Sequence, residues 1–259
     1  MTTNLLRLSC LYFVASLLPH PSWAAAPSSA CLEISLREIA TNTWVHTSWH
    51  KLDGDVCIPS NGMVIVGQDR VLLVDTPWTP TQTEKLLDLL RPIIAKPDLL
   101  SPRRIVNLFV THGHNDRAGG LSATAKRGIS SYALARTMIE VARHNTGAVT
   151  FALLDDHFAF DLGGRVVEVY YPGPGHTVDN TVVYDRSSKI LFGGCLIRSE
   201  SATDLGFTGD GNISEWGLST ARAAHRYPDA NIVVPGHGDA NGAELFAHTI
   251  KLVEHHAGS

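Results

Sequence analysis

A chain of 259 residues with 44% apolar and 18% charged residues is long enough to bury one sizeable core and too apolar for disorder. Its formal net charge of −4, without a run of Lys or Arg, gives no electrostatic footprint for nucleic acid and excludes that class of partner.

The chain opens on an export signal. Arg7 supplies a positive start, Leu8 to Leu18 an apolar stretch too short to span a bilayer, and Ser22-Trp23-Ala24 a small-x-small cleavage site. Residues 1–24 are expected to be a signal peptide cut near Ala24 or Ala26, leaving 27–259 as a single exported domain with no stable membrane anchor. Of the 4 cysteines, Cys31, Cys57 and Cys195 remain after cleavage, in a compartment where thiols oxidise. An odd number gives at least one of them another task. Cys31 and Cys57 lie near the same end of the first predicted strands, so a disulfide between them is one expectation and three free thiols the other.

In chain order, Leu32 to Ile39 and Thr43 to Trp49 read as strands, and Met63 to Val66 and Val71 to Val74 as a hairpin around Gly67-Gln68-Asp69 that ends at Asp75. A helix follows, with Thr79 as its cap, Pro80 at its first position and Gln82 completing a capping box. Leu86, Leu89, Leu90, Ile93 and Ile94 form its core stripe. The apolar run Ile105 to Val110 predicts a strand ending at Thr111, then a loop and a helix from about Asp116 to Arg127. The second half echoes this order. Thr181 to Tyr184 and Ile190 to Phe192 form a hairpin ending at Cys195, Asn212 with Glu215 caps a helix, and Asn231 to Val234 is a strand running into Pro235-Gly236-His237. Two pseudo-similar sheet-plus-helix halves packed face to face are therefore expected.

Four of the 13 histidines, His112, His114, His176 and His237, lie in Gly-rich loops just after predicted strands. His46, His50, His144, His157, His225 and His248 have no such setting, and His255-His256 reads as a solvated tail. Cys195 taken alone is a small buried residue, but imidazole and thiolate are preferred zinc ligands and a carboxylate can complete a site. His112, His114 and His176 would make one three-nitrogen zinc site, and Asp116, Cys195 and His237 a second with one oxygen, one sulfur and one nitrogen. Two zinc ions of this kind suit a hydrolase, because zinc brings the pKa of water to about 7.

With "HGHND", "GHTVDN", "GGC" and "PGHG" in place, the chain resembles the metallo-β-lactamases, specifically the B1 subclass. The likeness extends through "IPSNGMVIV", "VLLVDTPWT" and "FGGCLIRS". The resemblance implies an α/β four-layer αββα sandwich with two zinc ions at one edge between the halves. It also implies zinc-dependent opening of the β-lactam ring of penicillins, cephalosporins and carbapenems, hence antibiotic resistance, by a periplasmic monomer. Thioesterases of the wider superfamily usually carry a histidine after the Asp, where this chain has Arg117, and an Asp where it has Cys195. A thioesterase or lactonase is the alternative, and a non-catalytic periplasmic zinc-binding protein a further one.

The B1 pattern usually has Lys three residues after the ligand cysteine, where this chain has Arg198, and often an Asn where this chain has Phe207. Arg198 is expected to pair with the substrate carboxylate, and Asp116 to orient the attacking water as well as bind metal. Asp75 and Arg117 read either as supports for the ligands or as an ordinary buried ion pair. Ser48 to Asp55 resembles the mobile hairpin that covers substrate in the subclass, with Trp49 as its apolar contact and Gly54 lending flexibility. Trp49 reads equally well as core at a strand end.

Overall fold

The structure, a computed structural model, describes residues 31, 33–51, 56–95 and 104–258. The expected signal peptide and the hairpin tip from Leu52 to Asp55, with Gly54, lie outside the described residues, as does Leu32.

Two sheets carry the architecture. The first runs in sequence order, β1 (Ile34–Ala40), β2 (Thr43–Lys51), β3 (Cys57–Val66), β4 (Arg70–Val74), β5 (Arg104–Phe109), β6 (Ser130–Leu134) and β7 (Phe151–Leu153). The second has the spatial order β12 (Ile232–Pro235), β11 (Ile190–Gly194), β10 (Val182–Asp185), β9 (Val166–Tyr170) and β8 (His157–Asp161). Helices α1 (Pro80–Ile94), α2 (Asn115–Ala118), α3 (Leu121–Lys126) and α4 (Ala135–Arg143) belong to the first half, and α5 (Ile213–Arg226) and α6 (Glu244–Ala257) to the second.

Strand alternation sorts the apolar residues into three cores and so into four layers. On β4, Val71 and Leu73 face a core shared with Leu86 and Leu90 of α1, while Leu72 and Val74 face the second sheet. On β11, Ile190 and Phe192 join that central core, and Leu191 faces Trp216 of α5 and Phe246 of α6. Strands buried on both faces explain the nearly continuous apolar runs at 71–74 and 190–192. The internal echo is present. An antiparallel pair (β3–β4, β10–β11), a crossover helix (α1, α5) and a parallel strand (β5, β12) occur in each half.

Several expectations need correction. Strand β3 begins at Cys57, well before Met63, and contains Pro59 and Gly62, which read as breakers in isolation. Here Cys57 to Asn61 pair with β2 alone, since β4 pairs only from Met63 onward, so Pro59 sits where its missing N–H costs no second ladder. Leu89 is exposed and Leu87 is buried, because the stripe facing the sheet runs through Thr83, Leu86, Leu87 and Leu90. The helix expected over 116–127 is two short helices broken at Gly119-Gly120. A Cβ at Gly119 would lie 2.1 Å from the Trp78 carbonyl oxygen, so close packing on the start of α1 requires glycine. Thr79 caps the helix as read, its hydroxyl accepting from the Gln82 N–H at 3.2 Å, but the Gln82 side chain accepts from the Thr79 hydroxyl and donates to the Trp49 carbonyl instead of closing the capping box. Strands β6 to β9 and helices α4 and α6 add to the elements expected from the sequence. Cys31 and Cys57 are disulfide-bonded with Cα atoms 5.6 Å apart, and Cys195 is the free cysteine among the described residues. No helix among the described residues is long and apolar enough to cross a membrane.

Candidate metal centre

The donors gather where strands of both sheets end. His112, His114 and Asp116 follow β5, His176 lies between β9 and β10, Cys195 directly follows β11, and His237 follows β12. In a βαβ arrangement the carboxyl ends of parallel strands open into one crevice, which brings residues far apart in sequence together.

The six side chains form one cluster. His114 Nδ1 and His176 Nε2 are 3.3 Å apart, and the His112 ring lies 4.8 Å from that of His114 and 5.1 Å from that of His176. Cys195 Sγ is 3.2 Å from His237 Nε2 and 3.6 Å from Asp116 Oδ2, and His237 Nε2 is 3.3 Å from the same carboxylate oxygen. Among these six, donor atoms lie within 4.8 Å of one another in three sets, His112-His114-Asp116, His112-His176-Cys195 and Asp116-Cys195-His237, and a fourth set joins His114 to His144 and Asp210. His112 and Asp116 thus sit between the two groups expected from sequence.

The fit to metal rests on an orphan. His112 is fully buried, yet its Nε2 has no hydrogen-bond partner among the described residues, a costly arrangement unless something coordinates it. Burial, with the charges of neighbouring histidines, holds His112 well below the usual imidazole range, and the same causes push His176 down to about 3. Both rings are therefore neutral and ready to donate lone pairs. Burial would raise the Asp116 carboxyl, but Arg117 and His237 outweigh it and hold the group well below the ordinary carboxylate range.

Arg117 is the hub beneath Asp116 and Cys195. Completely buried, it lies 2.9 Å from Asp116 Oδ2, donates to Cys195 Sγ and to the Gly236 carbonyl at 2.9 Å each, and donates to the Asn61 carbonyl. Asp75 stands 3.6 Å from it and accepts from the Thr111 N–H and hydroxyl at 2.7 and 2.8 Å, fixing the strand end that leads to His112. Arg117 is thus both members of the sequence alternative, a ligand support and a partner in a buried ion pair.

Sequence reading passed over a second support. His114 Nε2 is 3.0 Å from Asp210 Oδ2, and Asp210 also receives Arg143 at 2.9 Å. His144 lies beside them, its ring 5.0 Å from that of His114, so it is part of the site's wall. The pattern Asp-Gly-Asn at 210–212 gave only a helix-cap signal, and nothing local pointed Asp210 toward His114.

A cavity of about 590 Å³ opens over the cluster. Ile58 and Trp78 line one wall, Arg198, Gly206 and Phe207 another, with His114, His176, Asp116 and His237 beneath. Arg198 donates through Nε to the Asp204 carbonyl at 3.1 Å, and Phe207, 62% exposed, sets its ring 5.7 Å from that of His114. Trp49 is not among the lining residues. Adjacent strand residues face opposite sides, and on β2 it is His50, paired with Ile58, that stacks on Trp78 at 5.0 Å. Trp78 is the tryptophan that lines the cavity.

Comparison with known proteins agrees with this geometry. The family model of the metallo-beta-lactamase superfamily matches residues 55–237. The chain is 35% identical over 221 residues to the metallo-beta-lactamase type 2 of Bacillus cereus, covering 85% of this chain and 83% of that protein. It is 31% identical to the type 2 enzyme of Bacteroides fragilis, covering 85% and 86%. The structure of the metallo-beta-lactamase FIM-1 from Pseudomonas aeruginosa in its mono-zinc form superposes with a TM-score of 0.80 at 30% identity, over 89% of this chain and 99% of that one. A sandwich of two sheets between helices, six side chains at its open edge that could hold metal and this likeness over most of the sequence agree: the chain belongs to the metallo-beta-lactamase superfamily.

Proposed function

We propose that the chain is an exported B1-type zinc β-lactamase that hydrolyses the ring amide of penicillins, cephalosporins and carbapenems as a periplasmic monomer. The observation that carries this reading is the convergence of six donors, with the orphaned His112 Nε2 among them, on the floor of a cavity sized for a small molecule. The likeness to enzymes named metallo-beta-lactamase supports the substrate class.

His112, His114 and His176 would hold one zinc, and Asp116, Cys195 and His237 a second. When bound, zinc acidifies water to a pKa of about 7 and polarises a carbonyl oxygen. The Asp116 carboxylate, kept ionised by Arg117, accepts a hydrogen bond from the attacking water and orients it. Arg198 would turn its guanidinium to the substrate carboxylate, its Nε held by the Asp204 carbonyl and its Nη2 standing 3.8 Å from the exposed Asp204 carboxylate, a contact that the substrate's own carboxylate can replace. Trp78 and Ile58 give the fused rings an apolar surface, and Phe207 shields the opposite side without offering a donor to the carbonyl oxygen.

The test is hydrolysis of a chromogenic cephalosporin by the mature chain. Turnover should vanish with a chelator and return with zinc. Chelator-insensitive turnover, or none with zinc supplied, would reject the reading, and zinc-dependent thioester hydrolysis in its place would favour the alternative within the superfamily.

A further inference from the structure

Below Met63 the edge of β3 is left open by β4, and the loop Pro235 to Gly238 lies along it in the place of a strand. The Asn61 N–H donates to the Gly236 carbonyl at 2.9 Å, and the Pro59 carbonyl faces His237 Nδ1 at 2.6 Å. The Asn61 side chain completes the contact. Its Oδ1 accepts from the Thr47 hydroxyl at 2.8 Å, which fixes the orientation of the amide, and its Nδ2 then donates to the Pro235 carbonyl at 3.0 Å and the Gly238 carbonyl at 2.7 Å. The residue is 3% exposed. On its other side the segment is tied to β11, where the Gly236 N–H donates to the Gly194 carbonyl at 2.7 Å, but Pro235, Gly236 and Gly238 bring no polar side chain of their own toward β3. A Cβ at Gly236 would lie 2.6 Å from Cys195 Sγ and 2.7 Å from the Arg117 guanidinium, so the backbone must pass where only glycine fits.

We propose that Asn61 is the positioning residue of His237. By gripping the carbonyls before and after that histidine, it sets the loop at the depth where the imidazole meets Cys195 and Asp116. The inference deepens the zinc partition proposed above and rests on it. Nothing comparable ties Asn61 to the three histidines, so its loss should be felt at one metal position only.

The test replaces Asn61 by Ser, removing both amide donors, and separately Thr47 by Val, which leaves Asn61 in place but frees its amide. Cobalt titration reads the Cys195 position through the thiolate-to-cobalt charge-transfer band, and competition with a chromophoric chelator reads zinc affinity at both positions. In Asn61→Ser the thiolate position should weaken about 10- to 100-fold and the three-histidine position by less than about 2-fold, with kcat/KM depressed at limiting zinc and restored by excess. Thr47→Val should move the same band in the same direction by less, and it decides the matter if Asn61→Ser does not fold. Equal weakening at both positions, or an unmoved band in folded variants, overturns the proposal. A wild-type protein with no thiolate band overturns it together with the partition, whereas a normal band in a protein that fails to open β-lactams rejects the proposed substrate alone.

Discussion

His112 and His176 are neutral and bring no charge into the fold, and the three-histidine pocket is supported from its rim: Asp210 faces His114, with His144 and the exposed Arg143 beside it. Asp116 and Cys195, by contrast, bring an ionised carboxylate, and a thiol that gives up its proton on binding metal, to the end of the central core. Their compensation comes from below, from Arg117 with no solvent contact at all. A donor set without charge can be assembled from loops that remain partly open, whereas a doubly anionic set must be built around a buried cation, because an uncompensated charge at low dielectric costs several kcal/mol. The Cys195 pocket is accordingly braced from within, with Arg117 joining Asn61, Gly236, Asp116 and Cys195 across both sheets.

The largest expected effect follows from that cation. Arg117→Met removes the buried cation from beside the Asp116 carboxylate and should lower the stability of the zinc-free protein by about 3–5 kcal/mol in urea unfolding, and a loss under about 1 kcal/mol would break the comparison. Arg143→Met, which removes the partly exposed cation on the histidine side, should have a much smaller effect in the same experiment.

Next comes Cys195→Ser, which removes the soft donor from one pocket only. The second zinc should weaken by more than about 100-fold, beyond what loss of an outer support costs, while the first is little changed. Equal loss at both positions in a metal titration would erase the distinction.

Arg198 lies outside both pockets, and its replacement should leave zinc content alone. Charge-assisted hydrogen bonds of about 1.5–3 kcal/mol predict a fall in kcat/KM of about 10- to 100-fold for Arg198→Ala, mainly through KM, on a cephalosporin bearing a free carboxylate. The neutral ester should lose less. Equal losses on acid and ester would remove Arg198 as the anchor.

The smallest effect sharpens the histidine side. Asp210→Asn keeps the shape of the acceptor but not its charge, and should weaken the three-histidine position by about 10-fold with the thiolate position unmoved. A shift at the thiolate position instead would mean that the two pockets are coupled through Asp116 more tightly than their separate supports imply.

What the amino-acid sequence determined by itself was local. Donor type, strand-end placement and the glycines around them marked His112, His114, Asp116, His176, Cys195 and His237, because ligand chemistry belongs to the side chain and a strand end is signalled by its own apolar run. Repeated strand pair, helix and strand likewise marked the two halves. The tertiary structure decided what these residues face. Arg117 serves Cys195 and Gly236, 78 and 119 positions away, only because β5, β11 and β12 end at one edge. Strand β3 could not be followed through Pro59 and Gly62, since whether a proline breaks a strand depends on which neighbour is missing. The phase of the β2–β3 register puts His50, not Trp49, opposite Ile58 of the cavity, and Asp210 reaches His114 across 96 positions. Contacts of that kind are fixed by sheet register and layer packing, which couple distant segments and leave no periodic mark on either of them.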